Sequence, residues 1–389
     1  MNLIEKSASG KVDAIYTKAI ASASQLGGTL TPHLRRFIRF LALPYYFFCG
    51  IDWRICRKNK LAVCLDLLYI FFVLKHYPDH YFYCRLWEKK REEWKYYFGS
   101  IYDAYQRRQF KKFIYSRENF VLFANKQICY QLCHDAGFPL PAQFATLYPH
   151  EDYRSGLAAC VAQMPPGERL IVKAVDGMGG KGIVVAFRDG DRIKVRRNEE
   201  VCDLSEFELN HPAVVQQYVR QHHLVQQFSI TTNTIRLSTM LKSDYSGVVL
   251  VCAIMRFGVG GSVVDNLCSG GLAVGVDLVT GRLGEFAVGF AATLHARHPD
   301  SGMPFKDFQV PYWPEVVDLA KRVQQHFHYH KLLGLDFCIT EEGPLLIEIN
   351  EEQDLGGTEM VYGPVLKNRE VLEQFKAYNL LVSRVQQTM

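Results

Sequence analysis

Apolar positions change their rhythm along this chain. Up to residue 118 they recur at helical spacings: Trp87, Trp94, Phe98, Ile101 and Tyr105 stand three, four or seven apart between charged residues, which predicts amphipathic helices. The stretch NFVLFANKQICYQLCHDA, Asn119 to Ala136, continues the pattern as one helix, closed by Gly137, Pro139 and Pro141. Short β-branched runs then take over: Leu170 to Ala174, Gly182 to Phe187, Arg192 to Val195, Ala213 to Val219, Ser229 to Met240, Gly247 to Phe257, Leu272 to Asp277, Gly334 to Thr340 and Pro344 to Asn350. Turn signals such as Asp189-Gly190 and Glu342-Gly343 separate them, and helices are expected near Glu151 to Met164 and Tyr312 to Tyr329. Strands in groups, with few βαβ alternations, predict an α+β fold rather than a parallel sheet. The divisions expected are a helical module over 1–118, a first α+β part over 119–218 and a second over 219–389.

Two further apolar runs, Phe37 to Gly50 and Leu61 to Leu74, are each 14 residues long. That is short of the roughly 20 a helix needs to cross a bilayer, so they read as buried or interfacial helices. The first 18 residues contain acids and no continuous apolar core, unlike a signal peptide or anchor.

Charge sharpens the division. Residues 1–130 hold 22 Lys and Arg against 10 Asp and Glu, while the rest hold 23 against 30; the same first third carries 28 of the 50 aromatic residues. One reading of this module is a domain packed on a catalytic part. The other is a basic-aromatic face that docks on anionic lipid or a glycan carrier, with Lys89, Lys90, Arg91, Lys95, Arg107, Arg108, Lys111 and Lys112 beside Trp87 and Trp94 as its contacts. No nucleic-acid partner is expected, and the oligomeric state is open. Eleven scattered cysteines without a C-x-x-C pair suit a reduced, cytoplasmic compartment. Cys129 and Cys133, one helical turn apart beside His134, lack a second ligand pair at zinc spacing and are expected to pack.

Three segments carry candidate chemistry. In LIVKAVDGMGGKGIVVAF, 170–187, a strand ends in a turn with Gly177, Gly179, Gly180 and Gly182 and resumes as a strand. Such a turn lets backbone N–H groups approach phosphate oxygens, and Lys173 and Lys181 add positive charge; no G-K-[ST] precedes a helix, so it is not a Walker A loop. In LGLDFCITEEGPLLIEIN, 333–350, two strands present Asp336 on one and Glu348 with Asn350 on one face of the next, an all-oxygen set suited to magnesium. Between them, AVVQQYVRQHH could read an adenine edge. Arg236 and Arg256, with Asp265, Asn266, Gly270 and Gly271, look like a clamp for a carboxylate or phosphate, although a structural ion pair is an equal reading for each arginine.

This order resembles the ATP-grasp superfamily over about residues 120 to 365. More narrowly, Asn233-Thr-Ile-Arg236, Asp265-Asn266 to Gly270-Gly271, Gly275-Val-Asp277 and Thr280-Gly281 resemble the sugar-transfer-associated ATP-grasp family, related to α-L-glutamate ligases. The resemblance implies two α+β subdomains gripping ATP and Mg²⁺. It implies phosphate-binding lysines at Lys126 and Lys173, a phosphate loop at Gly177 to Gly182, an adenine hinge at Gln216, Gln217, Tyr218 and Val219, and a ribose contact at His223. Asp336, Glu348 and Asn350 match the metal ligands. It further implies a carboxylate–amine ligase working through an acyl phosphate in cell-surface polysaccharide biosynthesis, with Arg236, Arg256 and Asn266 as catalytic candidates. D-alanine ligase-like members carry an oxyanion-binding arginine where this chain has Gly334, so Arg236 or Arg256 must replace it. A kinase of the same fold and a nucleotide-regulated, membrane-associated binding protein are the alternatives.

Overall fold

A computed structural model describes residues 31–389, apart from 101–102, 178–181, 198–199, 263–264, 268–269 and 290–291. Of the sequence expectations, Ile101, Gly179, Gly180 and Lys181 lie outside the described residues. The first sheet contains β1 (Gln143–Leu147), β2 (Arg169–Ala174), β3 (Val184–Asp189), β4 (Arg192–Arg197), β5 (Glu200–Asp203) and β6 (Ala213–Gln217), in the spatial order β1-β6-β2-β3-β4-β5. The second contains β7 (Ile235–Leu241), β8 (Val248–Phe257), β9 (Leu272–Gly275), β10 (Ala287–Val288), β11 (Leu294–His295), β12 (Leu332–Thr340) and β13 (Gly343–Asn350), ordered β11-β10-β9-β8-β7-β12-β13. Every neighbouring pair is antiparallel.

The helix Tyr153–Ala162 covers the first sheet through Leu157, Cys160 and Val161, which meet Leu170, Val172 and Val215. One face of the second sheet packs on the helix Trp313–His326, whose Val316, Leu319, Ala320 and Val323 repeat at helical spacing. Its other face packs on the helix Arg369–Ala377 and on Phe98 and Phe110 from the preceding module. With both faces covered, β12 is buried along its whole length, which explains its nearly unbroken apolar run.

Four expectations are corrected. The single helix over 119–136 is two, Phe120–Ala124 and Lys126–Asp135, because Asn125 leaves helical geometry and its side chain accepts from the N–H groups of Gln127 and Ile128. The aromatic stripe from Trp87 to Tyr105, expected on amphipathic helices, begins on short turns over Leu86–Glu88 and Arg91–Tyr96 and reaches a helix only at Ala104–Phe113. The break falls at Gly99, whose φ is +102° and where a Cβ would lie 2.4 Å from His76 Nδ1. The strand expected from Ser229 starts only at Ile235, since Ser229 and Thr231 give their carbonyls to Gln221 Nε2 instead. The nine expected strand runs omitted four strands, the edge strands β1, β5 and β11 and the two-residue β10 between β11 and β9.

The helical module is riveted to the second sheet. Glu359, on the helix Leu355–Tyr362, accepts from the N–H groups of Phe98, Gly99 and Val365, and Gln386 donates to Lys95 O and Tyr97 O. Trp94 is 1% exposed and so is not free to face a membrane, while Arg91, half exposed, is tied to the buried Asp66 at 2.5 Å. No helix among the described residues is long and apolar enough to cross one.

Candidate functional site

The β12–β13 hairpin sets the site's geometry. Asp336 and Glu348 are cross-strand partners, and Asn350 lies opposite Gly334. A bulge beside Asp336 adds one residue to β13. It lets Leu346 and Ile349, three apart, both enter the core while Glu348 and Asn350 keep one face. Asn350 Nδ2 donates to Gly334 O at 3.2 Å.

Lys126 enters because Asn125 starts a new helix at that point. Its backbone N–H bonds Val175 O at 2.9 Å, and its Nζ lies 3.1 Å from Glu348 Oε1 and donates to Gly177 O. One helix start thus joins the glycine-rich turn to the hairpin. Lys173, on β2, is buried; burial pulls its ammonium below the usual range, Glu348 opposes this and Lys126 adds to it. Lys126, Lys173, Gln216 and Glu348 line one pocket with the apolar Phe123, Leu140 and Leu346. An apolar slot with cations at one side suits a nucleotide base and its phosphates.

The other hinge residues stand apart from this pocket. Gln216 donates to Gln143 Oε1 at 3.0 Å. Gln217 is exposed and its N–H bonds Ala142 O. Tyr218 and Val219 line a neighbouring, more polar cleft with Arg169, Arg196 and Thr231. His223 pairs through Nδ1 with Glu341 Oε1 at 3.0 Å, in the β12–β13 turn. Cys129 and Cys133 are packed against the pocket, and His134 points away to Asp135.

A second cluster surrounds Asp336. Arg236 grips it with Nε–Oδ1 and Nη2–Oδ2 distances of 2.7 Å each, and Arg256 Nη2 reaches Oδ2 at 2.9 Å. Burial alone would push the Asp336 carboxyl up, but the two guanidiniums outweigh it and hold it at about 2. Arg236 is in turn raised, Asp336 overcoming the effect of burial. Thr234, which sequence reasoning missed as a support, accepts from Arg256 and donates to Asp265. Its only sequence signal is its place in Asn233-Thr-Ile-Arg236. Asn266 closes the loop by accepting Gly271 N–H at 3.1 Å.

At Gly334 a Cβ would lie 2.0 Å from Gln353 Oε1. Gln353 is 2% exposed and occupies the space where an arginine would extend.

The donors fit a hard divalent cation. Asp336, Glu348 and Asn350 offer oxygens from one face, and Asp336 Oδ1 accepts one hydrogen bond and keeps a lone pair.

No curated protein matches the chain at a significant level. Among solved structures, the chain is 13% identical to the ATP-grasp ligase PsnB complexed with a phosphomimetic precursor, Mg and ADP, at a TM-score of 0.33, covering 64% of this chain and 58% of that one. It is 12% identical to D-alanine--D-alanine ligase from Bacillus anthracis (TM-score 0.38; 69% of this chain, 68% of that). To a RimK domain ATP-grasp protein from Sphaerobacter thermophilus DSM 20745 it is 13% identical (TM-score 0.34; 64% and 67%). It spans less than two thirds of the PsnB chain. The profile of the sugar-transfer associated ATP-grasp family matches residues 105–377, well over half of the sequence, and the chain belongs to that family.

Proposed function

We propose that this protein is an ATP- and Mg²⁺-dependent carboxylate–amine ligase. The observation that carries the reading is the convergence of Lys126, Lys173 and Glu348 on one pocket, with Asp336 directly across the hairpin from Glu348. Lys126, Lys173 and the turn from Gly177 to Gly182 bind the triphosphate, and Gln216 meets the base. Gln217, Tyr218, Val219 and His223 stand outside this pocket and would meet the nucleotide only where it extends towards the neighbouring cleft. Asp336, Glu348 and Asn350 would hold magnesium, which would supply positive charge against the phosphates during transfer of the γ-phosphoryl to a substrate carboxylate.

The arginines then have a defined job. Arg236 spends Nε and Nη2 on Asp336, and Arg256 spends Nε and Nη2 on Thr234 and Asp336. Among the described residues Nη1 of each has no partner, and we assign it to the acyl phosphate and the oxyanion formed when an amine attacks. Asn266 shapes the loop beside them. No side chain acts as a covalent nucleophile; positioning and charge suffice.

Membership of a sugar-transfer-associated family supports an acid or amine linked to a cell-surface glycan. Residues 119–218 and 219–389 form the two halves of the grip, in the cytoplasm, with the N-terminal module against the inner face of the membrane. Product analysis separates this reading from a kinase. The ligase releases ADP and inorganic phosphate only when acid and amine are both present. A phosphoester formed without amine would overturn it.

A further inference from the structure

The apolar runs at 37–50 and 61–74 do not disappear into the core. Among the described residues, nine of the 21 exposed large hydrophobic side chains lie between residues 37 and 73. On the first helical segment Phe37, Leu41 and Phe48 are 58%, 62% and 71% exposed; on the second, Leu61, Leu65 and Phe72 are 70%, 54% and 56% exposed. Both triads follow the spacing i, i+4, i+11, and although each segment turns from α- to π-helical at Tyr46 or Ile70, Phe48 and Phe72 stay exposed like the residues before them. The two faces adjoin, since the Phe40 ring lies 5.7 Å from that of Phe72.

Beneath them the segments are firmly seated. Tyr46, Val63, Leu67, Ile70 and Leu74 are buried, and buried Asp66 is held by Lys58, Arg91 and Tyr81. The outward apolar face is therefore a surface of the folded module. The cations Arg54, Arg57 and Lys60, exposed between the two segments, and Lys75 after the second flank it in sequence. Residues 31–75 hold eight Lys and Arg against two Asp.

We propose that this paired helical face is a membrane-docking surface that seats the enzyme in the plane of an anionic leaflet, aromatic and leucine side chains entering the headgroup–acyl boundary. It rests on the membrane-proximal reading above, but not on the ligase chemistry, and it moves the contact from residues 87–112 to residues 37–73. The chemistry favours lipid over other occupants. A two-fold pairing with a second copy would set the same cations against themselves. Residues 1–30 hold three Lys against one Glu and one Asp, so they bring no net negative charge to match. An anionic leaflet satisfies both the apolar face and its cations, each worth a modest electrostatic gain that salt weakens.

The test uses the full chain and two thiols placed on these helices. Cys49 and Cys64 are the exposed cysteines among the described residues. Both should react readily with a maleimide in buffer and become protected on adding vesicles of phosphatidylcholine with about 30% phosphatidylserine, but not on adding pure phosphatidylcholine. Co-sedimentation with the anionic vesicles should fall at least about tenfold in the F37S/F48S/F72S variant, with circular dichroism and nucleotide binding unchanged. If wild type and variant bind alike, this face is overturned while the peripheral reading stands; if wild type ignores the vesicles, both fall. Thiols already protected in monomeric protein without lipid would show that residues 1–30 cover the face. Protection accompanied by a dimer that the variant abolishes would show self-association. Either result overturns the proposal.

Discussion

Asp336 and Glu348 face each other across two strands, yet their surroundings ask different things of them. Asp336 is buried between two guanidiniums, whereas the Glu348 side chain is 37% exposed beside Lys126. Glu348→Gln should therefore leave a normally folded protein whose ATP turnover is down by at least about 100-fold, the scale of a lost electrostatic contact. Asp336→Asn should lose turnover and also about 3 kcal/mol of stability, because two buried cations are left without their counterion. Urea unfolding beside a turnover assay distinguishes the two; equal stability in both variants would contradict the buried clamp. The depressed Asp336 carboxyl also fixes a sign. Its contribution to stability is complete above the ordinary aspartate value of 3.8 and fades as pH falls through about 2.

At the scale of elements, the loop that carries Asp265 and Asn266 closes against the end of β8. A Cβ on Gly271 would sit 2.6 Å from Asp265 O and 2.9 Å from both Asn266 O and Phe257 O. Three backbone oxygens cannot rotate away as a side chain could, so Gly271→Ala should destabilise by about 1–3 kcal/mol. It should also disturb Arg256, which lies 3.7 Å from Asp265 through Nε. Denaturant unfolding checks the first effect, and an unaltered midpoint would refute it. The long strands were legible because their alternation or apolar runs persist for six residues or more, and Glu342-Gly343 announced the β12–β13 hairpin. β10 and β11 have two residues each, too few for any period. Apolar spacing continues smoothly across Asn125, so the pattern alone hides the break; the family resemblance put a helix start at Asn125-Lys126, and the cap geometry bears it out. The sequence pattern also treats Phe71 and Phe72 alike, although the first is 3% and the second 56% exposed. Which side of a helix meets water depends on tertiary packing.

For the whole molecule, the joint between the helical module and the catalytic sheets hangs on a buried carboxyl. Burial pushes Glu359 up to about 8 against the pull of its three N–H donors. The folded state thus holds this proton to higher pH than the unfolded chain does. Its stabilising effect is complete below the usual glutamate value of 4.5 and is lost as pH rises through about 8. Thermal unfolding followed over that window should show wild type losing stability faster than Glu359→Gln, by up to about 1.4 kcal/mol per pH unit. Parallel curves would show that the carboxyl is already ionised in the folded protein.

Gly334 and Gln353 bear on how this site can change by mutation. The buried Gln353 amide is tied to Thr358 Oγ1 at 3.0 Å and stands where the side chain of residue 334 would start. Introducing the arginine found at that position in D-alanine ligase-like enzymes collides with it at the first carbon. The Gln353 side chain can turn its far end away only by giving up that bond, so an arginine at 334 and a smaller residue at 353 should together cost less stability than the sum of the two single changes. The two positions are coupled.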